Sequence, residues 1–117
     1  MPRIPQLIFV VPPSVHVLDL TGPVQVFYEA VDYGASYQLL YCSFQCPVTS
    51  SAGLNFGAVM GYQDVKAEPG DYVFLPGMAM EYIRSQEFKQ ETAFFDWLRQ
   101  QHRKGTFSKT YKAQVVS

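Results

Sequence analysis

"QLIFVVP", residues 6–12, is a continuous apolar run without alternation, and "LDLTGPVQVFYEAVDYG", residues 18–34, follows it after a short loop. A strand covered on both faces of a parallel sheet reads as such an unbroken run. In the second stretch Thr21 suits an N-cap, Pro23 the first helical turn and Gly34 the C-terminal stop. Val24, Phe27, Tyr28 and Val31 keep the i, i+3, i+4, i+7 spacing that buries one helix face. "YQLLYCSF", residues 37–44, is the next strand. Residues 6–44 therefore predict a β-α-β unit with a right-handed crossover.

Beyond this unit, "PVTSSAGLNFGAVMGY" is short-stepped, glycine-punctuated and β-inclined, which predicts a small hairpin excursion. "VKAEPG" is a loop or a short turn of helix, and "DYVFLPG", residues 71–77, is a third core strand. "SQEFKQETAFFDWLRQQHRKG" reads as the best helix in the chain. Glu87 and Glu91 sit early, Arg99, Arg103 and Lys104 late, and Gly105 closes it. Phe94, Phe95 and Leu98 give it an apolar face. "TFSKTYKAQVVS" holds one further, polar strand. The alternation predicts an α/β domain built on a parallel sheet.

The totals narrow the function classes. At 117 residues the chain fits one domain with a real core, and 48% apolar content with 15% aromatics argues against disorder. A net charge of −1 supplies no global field for nucleic acid or an anionic membrane. The basic run Arg99–Lys104 falls at a helix end, where cations offset the dipole. No segment approaches the roughly 20 apolar residues of a membrane span, and the amino end reads as a strand rather than a signal peptide, so a cytoplasmic protein is expected. Cys42 and Cys46 stand without a second pair, and His16 and His102 are remote in sequence, so no metal site and no cofactor are expected.

In open parallel sheets ligands bind beyond the carboxyl ends of the strands. Two loops qualify: "PPSVHVLDLTGP", which carries Asp19, and "PGMAM", which carries Gly77 and Met78. Asp19 has two readings. It is a helix-start residue that complements the dipole, or a carboxylate at the strand tip facing a pocket, opposite the Gly77 and Met78 amides as an oxyanion frame. His16 is a packed or solvated loop residue, or a ligand contact.

"LIFVVPPSVHVLDLTGPVQVFYEA", "YQLLYCSFQCPVTSSAGL" and "DYVFLPG" together resemble the ThiJ/PfpI group of the class I glutamine amidotransferase-like superfamily. The likeness is closest to the N-terminal domain of AraC-type transcriptional regulators, and "LDLTGPVQVF" is also similar to isonitrile hydratase-like enzymes. It covers roughly residues 6–105. The resemblance implies a flavodoxin-like, three-layer fold: a parallel sheet with helices on both faces, incomplete at its C-terminal end. It makes residues 1–117 a single partial domain with a divergent tail at 106–117. Asp19 falls where the family places its acidic pocket residue, and Gly77 with Met78 falls on the family's Pro-Gly-Gly turn, the second glycine being Met78 here.

The family's nucleophile elbow is not matched: Ser108 stands near its place without the small-residue turn, and receives no role. The resemblance thus implies a non-catalytic, ligand-sensing domain of an AraC-type regulator, binding through Asp19, Gly77 and Met78. The alternative it implies is a ThiJ/PfpI or isonitrile hydratase-like enzyme lacking its nucleophile in this chain. A homodimer, a small-molecule effector, and DNA contact only through a helix-turn-helix segment outside this chain are the expected partners.

Overall fold

Leu7, Ile8, Phe9 and Val10 are each at most 1% exposed, which makes their strand, β1 (Gln6–Val10), the centre of the molecule. The computed structural model describes residues 3–45, 47–57, 59–103 and 107–110, the last four by backbone alone. After β1 come α1 (Val17–Asp32), β2 (Gln38–Ser43) and a hairpin of β3 (Val48–Thr49) with β4 (Asn55–Phe56). β5 (Met60–Gly61), a 3-10 turn at Tyr62–Asp64 and β6 (Tyr72–Leu75) follow. Three helices, α2 (Met80–Ile83), α3 (Gln86–Lys89) and α4 (Thr92–Arg103), then lead to β7 (Phe107–Thr110). The sheet runs β5-β2-β1-β6-β7 and every pairing in it is parallel. The expected α/β, flavodoxin-like architecture with helices on both faces is what the chain adopts.

Alternation along β1 divides the core, because successive side chains leave a strand on opposite faces. Leu7 and Phe9 join Leu20, Val24 and Phe27 of α1 and Val48 of the hairpin on one face. Ile8 and Val10 join Cys42, Val73, Tyr62 and the α4 residues Phe94, Phe95, Trp97 and Leu98 on the other. An aromatic row crosses the first face. Tyr41 of β2 and Phe74 of β6 are the register partners of Phe9 and stack on it at 5.9 and 4.8 Å between ring centroids. Phe27 of α1 tilts against both Phe9 and Phe74, at 6.3 and 5.4 Å. Such cross-strand pairs fix register as well as adding dispersion.

The first helix starts a turn earlier than its sequence signals suggest. His16 is its N-cap, Thr21 turns its hydroxyl back onto the Val17 carbonyl at 2.8 Å, and Pro23 lies inside the helix. The reason is tertiary: Val15 is held extended by a bridge to Met78, so the chain is free to turn only from His16 onward. Val24 and Phe27 pack inward as expected, but Tyr28 is 56% exposed. The long helix expected from Ser85 to Gly105 is instead two helices broken at Gln90, preceded by α2. Seven residues of unbroken helix would separate Phe88 and Phe95 by about 10 Å along the axis. Their ring centroids lie 5.1 Å apart, and Phe88 also meets Tyr82 at 5.4 Å. Closing that aromatic cluster requires the break, and the Ser85 hydroxyl accepting from the Phe88 amide restarts the chain as α3. The polar strand expected near the end forms as β7, in register with β6. The rest of the expected tail, Thr106 and residues 111–117, lies outside the described residues, as does Cys46.

A buried carboxylate ties down the amino end of the sheet. Asp71, fully buried, accepts from both terminal nitrogens of Arg3 at 2.7 and 2.9 Å, from the Gln6 and Glu68 amides at 2.9 Å each, and from the Gln6 side chain. Arg3 also pairs with Glu68. Burial alone pushes the Asp71 carboxyl up, but the donors outweigh it and hold the group below the usual carboxylate value. A carboxyl depressed on folding contributes its full stability above its unfolded pKa and loses it as pH falls through the folded one. Asp71→Ala leaves two backbone donors unsatisfied and should cost about 3 kcal/mol. In urea unfolding, the native protein should lose stability from about pH 5 downward more steeply than Asp71→Asn does.

Candidate functional site

β1 and β6 are neighbours whose chains leave for opposite faces of the sheet, β1 into α1 and β6 toward α4. This makes their carboxyl ends the switch point where open α/β sheets bind ligands. Here the two exit loops are sewn together. The His16 amide donates to the Gly77 carbonyl at 2.8 Å and the Ala79 amide to the Ser14 carbonyl at 2.9 Å, flanking the Val15–Met78 bridge. On its other side the same loop meets the hairpin, with Ser14 N donating to Thr49 O at 2.8 Å and Ser51 N to Val15 O at 2.9 Å. Residues 14–16 thus run as a middle strand between hairpin and β6 loop.

Ser14 pays for that position with a φ of +59°, the sole positive φ at a non-glycine residue among those described. The left-handed region costs a Cβ-bearing residue about 1–2 kcal/mol. Its neighbours hold it there: buried Pro12 and Pro13 feed the turn, and Ser14's own N–H and C=O are both fixed by hydrogen bonds. The Ser51 hydroxyl reaches His16 Nδ1 at 3.0 Å, so the His16 ring is anchored to the hairpin rather than capping α1.

Asp19 stands one turn into α1, not at the strand tip as one of its readings had it, and its amide donates to the His16 carbonyl at 3.1 Å. A carboxylate there complements the positive end of the helix dipole. His16 links it to the other loop, since the same residue donates to Gly77. The structure therefore brings Asp19, Gly77 and Met78 to one end of the sheet. Gly77 and Met78 are buried, and the Met78 side chain is fully enclosed. Ser14, Ser51 and the hairpin were invisible as site elements in sequence. The signals that bear on them are the double proline ahead of Ser14 and the turn at Ser50, whose hydroxyl accepts from the Ala52 and Leu54 amides.

A cleft opens on the β2 side of this rim, between α1 and the hairpin. Its walls are Val11, Leu20, Val24, Phe56, Gly57 and Val59, with Thr21 and Tyr41 bringing hydroxyl groups, and its volume is about 260 Å³. Asp19, Gly77 and Met78 are not among its lining residues. On the opposite face, Cys42 is buried beside Val10 and Phe94, and burial pushes its thiol up to about 12. Among the described residues no group of three His, Cys, Asp or Glu side chains is placed to hold a metal ion, and no helix is long and apolar enough to cross a membrane.

No family model and no curated protein matches the chain. It is similar to a solved structure described as "a putative transcriptional regulator protein from Vibrio parahaemolyticus", with a TM-score of 0.78 at 12% identity. The match takes in 97% of this chain but only 59% of that protein's length. At such low identity the likeness establishes the fold.

Two outcomes follow from this geometry. Ser14→Gly should keep or raise stability by up to about 1 kcal/mol, whereas Ser14→Val, β-branched in a left-handed site, should lower it by about 2 kcal/mol; urea midpoints measure both. Iodoacetamide at pH 8 should leave Cys42 unmodified in the folded protein and label it on unfolding, read by peptide mass spectrometry, because the thiolate is the reactive form.

Proposed function

We propose that this chain is the ligand-sensing domain of an AraC-type transcriptional regulator, a single ThiJ/PfpI-like domain that binds a small effector without turning it over. The observation that carries the reading is the state of the switch point. Its two loops are locked by reciprocal backbone hydrogen bonds, and a buried methionine side chain takes the place of an open glycine turn. A rim so stitched favours holding a ligand and passing on its presence over accommodating a reacting group. The similarity in fold to a protein described as a transcriptional regulator supports the same reading. DNA is contacted by a helix-turn-helix segment outside this chain, in keeping with the net charge of −1. The effector meets Asp19 and the Gly77–Met78 turn.

The domain acts as a homodimer in the cytoplasm. Leu18 and Val26 of α1 and Tyr33 at its C-cap are 81%, 65% and 87% exposed, apolar side chains of the kind that favour association.

A thermal-shift screen of neutral and anionic small metabolites tests the sensing role. The expected result is at least one compound that raises Tm in the native protein and loses most of its effect in Asp19→Asn. Uniform failure of the screen, or an effect that Asp19→Asn leaves intact, would remove Asp19 from the site. Light scattering should report a dimer that Val26→Glu converts to a monomer.

A further inference from the structure

We propose that the cleft between α1 and the β3–β4 hairpin is a binding site for a small, uncharged aromatic molecule of one or two rings. It is distinct from the Asp19–Gly77–Met78 rim, and the inference holds for this chain whether or not it serves a regulator.

The walls define the ligand class. None of the residues that line the cleft is charged. An ionised ligand entering it would give up hydration and meet no opposite charge, a cost of several kcal/mol. The volume, about 260 Å³, exceeds the roughly 150 Å³ of a cavity that accepts benzene, so one or two rings have room. Flat partners are already in place. Tyr41 stacks on Phe9 on its inner side, and Phe56 comes from the hairpin. Rings gain most against rings that are themselves held rigid.

Two polar groups narrow the choice further. The Thr21 hydroxyl hydrogen is committed to the Val17 carbonyl at 2.8 Å, so toward a ligand Thr21 offers only an acceptor. The Tyr41 phenol, its pKa raised by burial, keeps its proton and remains a donor. A neutral ring bearing an N–H or a carbonyl suits this pair. The base of the cleft is rigid, because Val11 donates to the Cys42 carbonyl at 2.7 Å. The hairpin that forms its outer wall is bonded through Thr49 and Ser51 to residues 14–16. A ligand pressing on Phe56 therefore acts on the element that also fixes the switch-point loops.

Indole is the probe: two rings, uncharged, one N–H. Isotope-labelled 117-residue protein is titrated with indole and, separately, with benzoate, and amide shifts are followed by NMR. Saturable indole shifts centred on Thr21, Tyr41, Phe56 and Val59 are expected, with benzoate weaker by about tenfold or more. Val24→Phe fills the cleft from the half-buried side of α1 and should weaken indole by about tenfold or more. Thr21→Val keeps the shape and removes the acceptor. It should bring indole down to the affinity of benzothiophene, its isostere without an N–H, and it serves if Val24→Phe does not fold. The proposal is overturned if indole produces no saturable shift up to its solubility. It is equally overturned if the shifts centre on Asp19 and Met78, if benzoate binds as well, or if neither variant alters indole binding. None of these outcomes touches the proposed site at Asp19, which stands or falls on Asp19→Asn.

Discussion

The short segment Ser14–His16 is the piece on which the functional end of the molecule depends. It leaves the central strand, takes a left-handed residue at Ser14, and is gripped on one side by Thr49 and Ser51 and on the other by Gly77 and Ala79. Four backbone hydrogen bonds and one side-chain contact meet within three residues. Every element at the carboxyl end of the sheet is positioned relative to this segment: α1 starts from His16, the hairpin hangs from it, and the turn after β6 is bolted to it. A strained φ persists only where its surroundings over-determine it, and here both of the residue's backbone polar groups are engaged.

The opposite end of the sheet has its own fixed point, and the two are complementary. Asp71 gathers Arg3, Gln6 and Glu68 at the amino ends of β1 and β6, using a charge that burial alone would disfavour. Between these ends, Tyr41, Phe9 and Phe74 stack across three adjacent strands and α1 leans on them through Phe27. The β1–β6 pair is thus pinned at both termini and in the middle.

How much of this was legible in the sequence depends on whether the deciding forces were local. The unbroken run at residues 6–12 announced a doubly covered strand, and β1 is one, because burial on both faces leaves its mark residue by residue. The hairpin and β6 were readable from turn residues and β-branched content for the same reason. The start of α1 was not. Thr21 and Pro23 carry good local signals, yet a bridge between Val15 and Met78, distant in sequence, set the start at His16. The broken helix at Gln90 has the same origin, a contact between Phe88 and Phe95 that helical periodicity cannot express. Of the candidate site residues, the sequence placed Asp19, Gly77 and Met78 beyond the carboxyl ends of the strands, and the structure has them there. The sequence could not show Ser14's strain or the Ser51–His16 contact, which exist only once hairpin and loop are together.

The division between a closed rim and an open cleft follows from the side chains that each place receives. At the switch point Met78, itself a partner in the bridge, is a long side chain with no exposure left. On the β2 side of the rim, Leu20, Thr21 and Val24 of α1 line a cleft whose other wall includes Phe56, Gly57 and Val59. The cleft of about 260 Å³ opens at the surface beside the most buried strand in the molecule, where a ligand can cover apolar walls that side chains leave uncovered. Larger residues at Thr21, Val24 or Gly57 would fill it, and a Cβ added at Gly57 would meet nothing within 4 Å. Space that the backbone leaves open and the side chains decline to fill belongs to a ligand more naturally than to the fold.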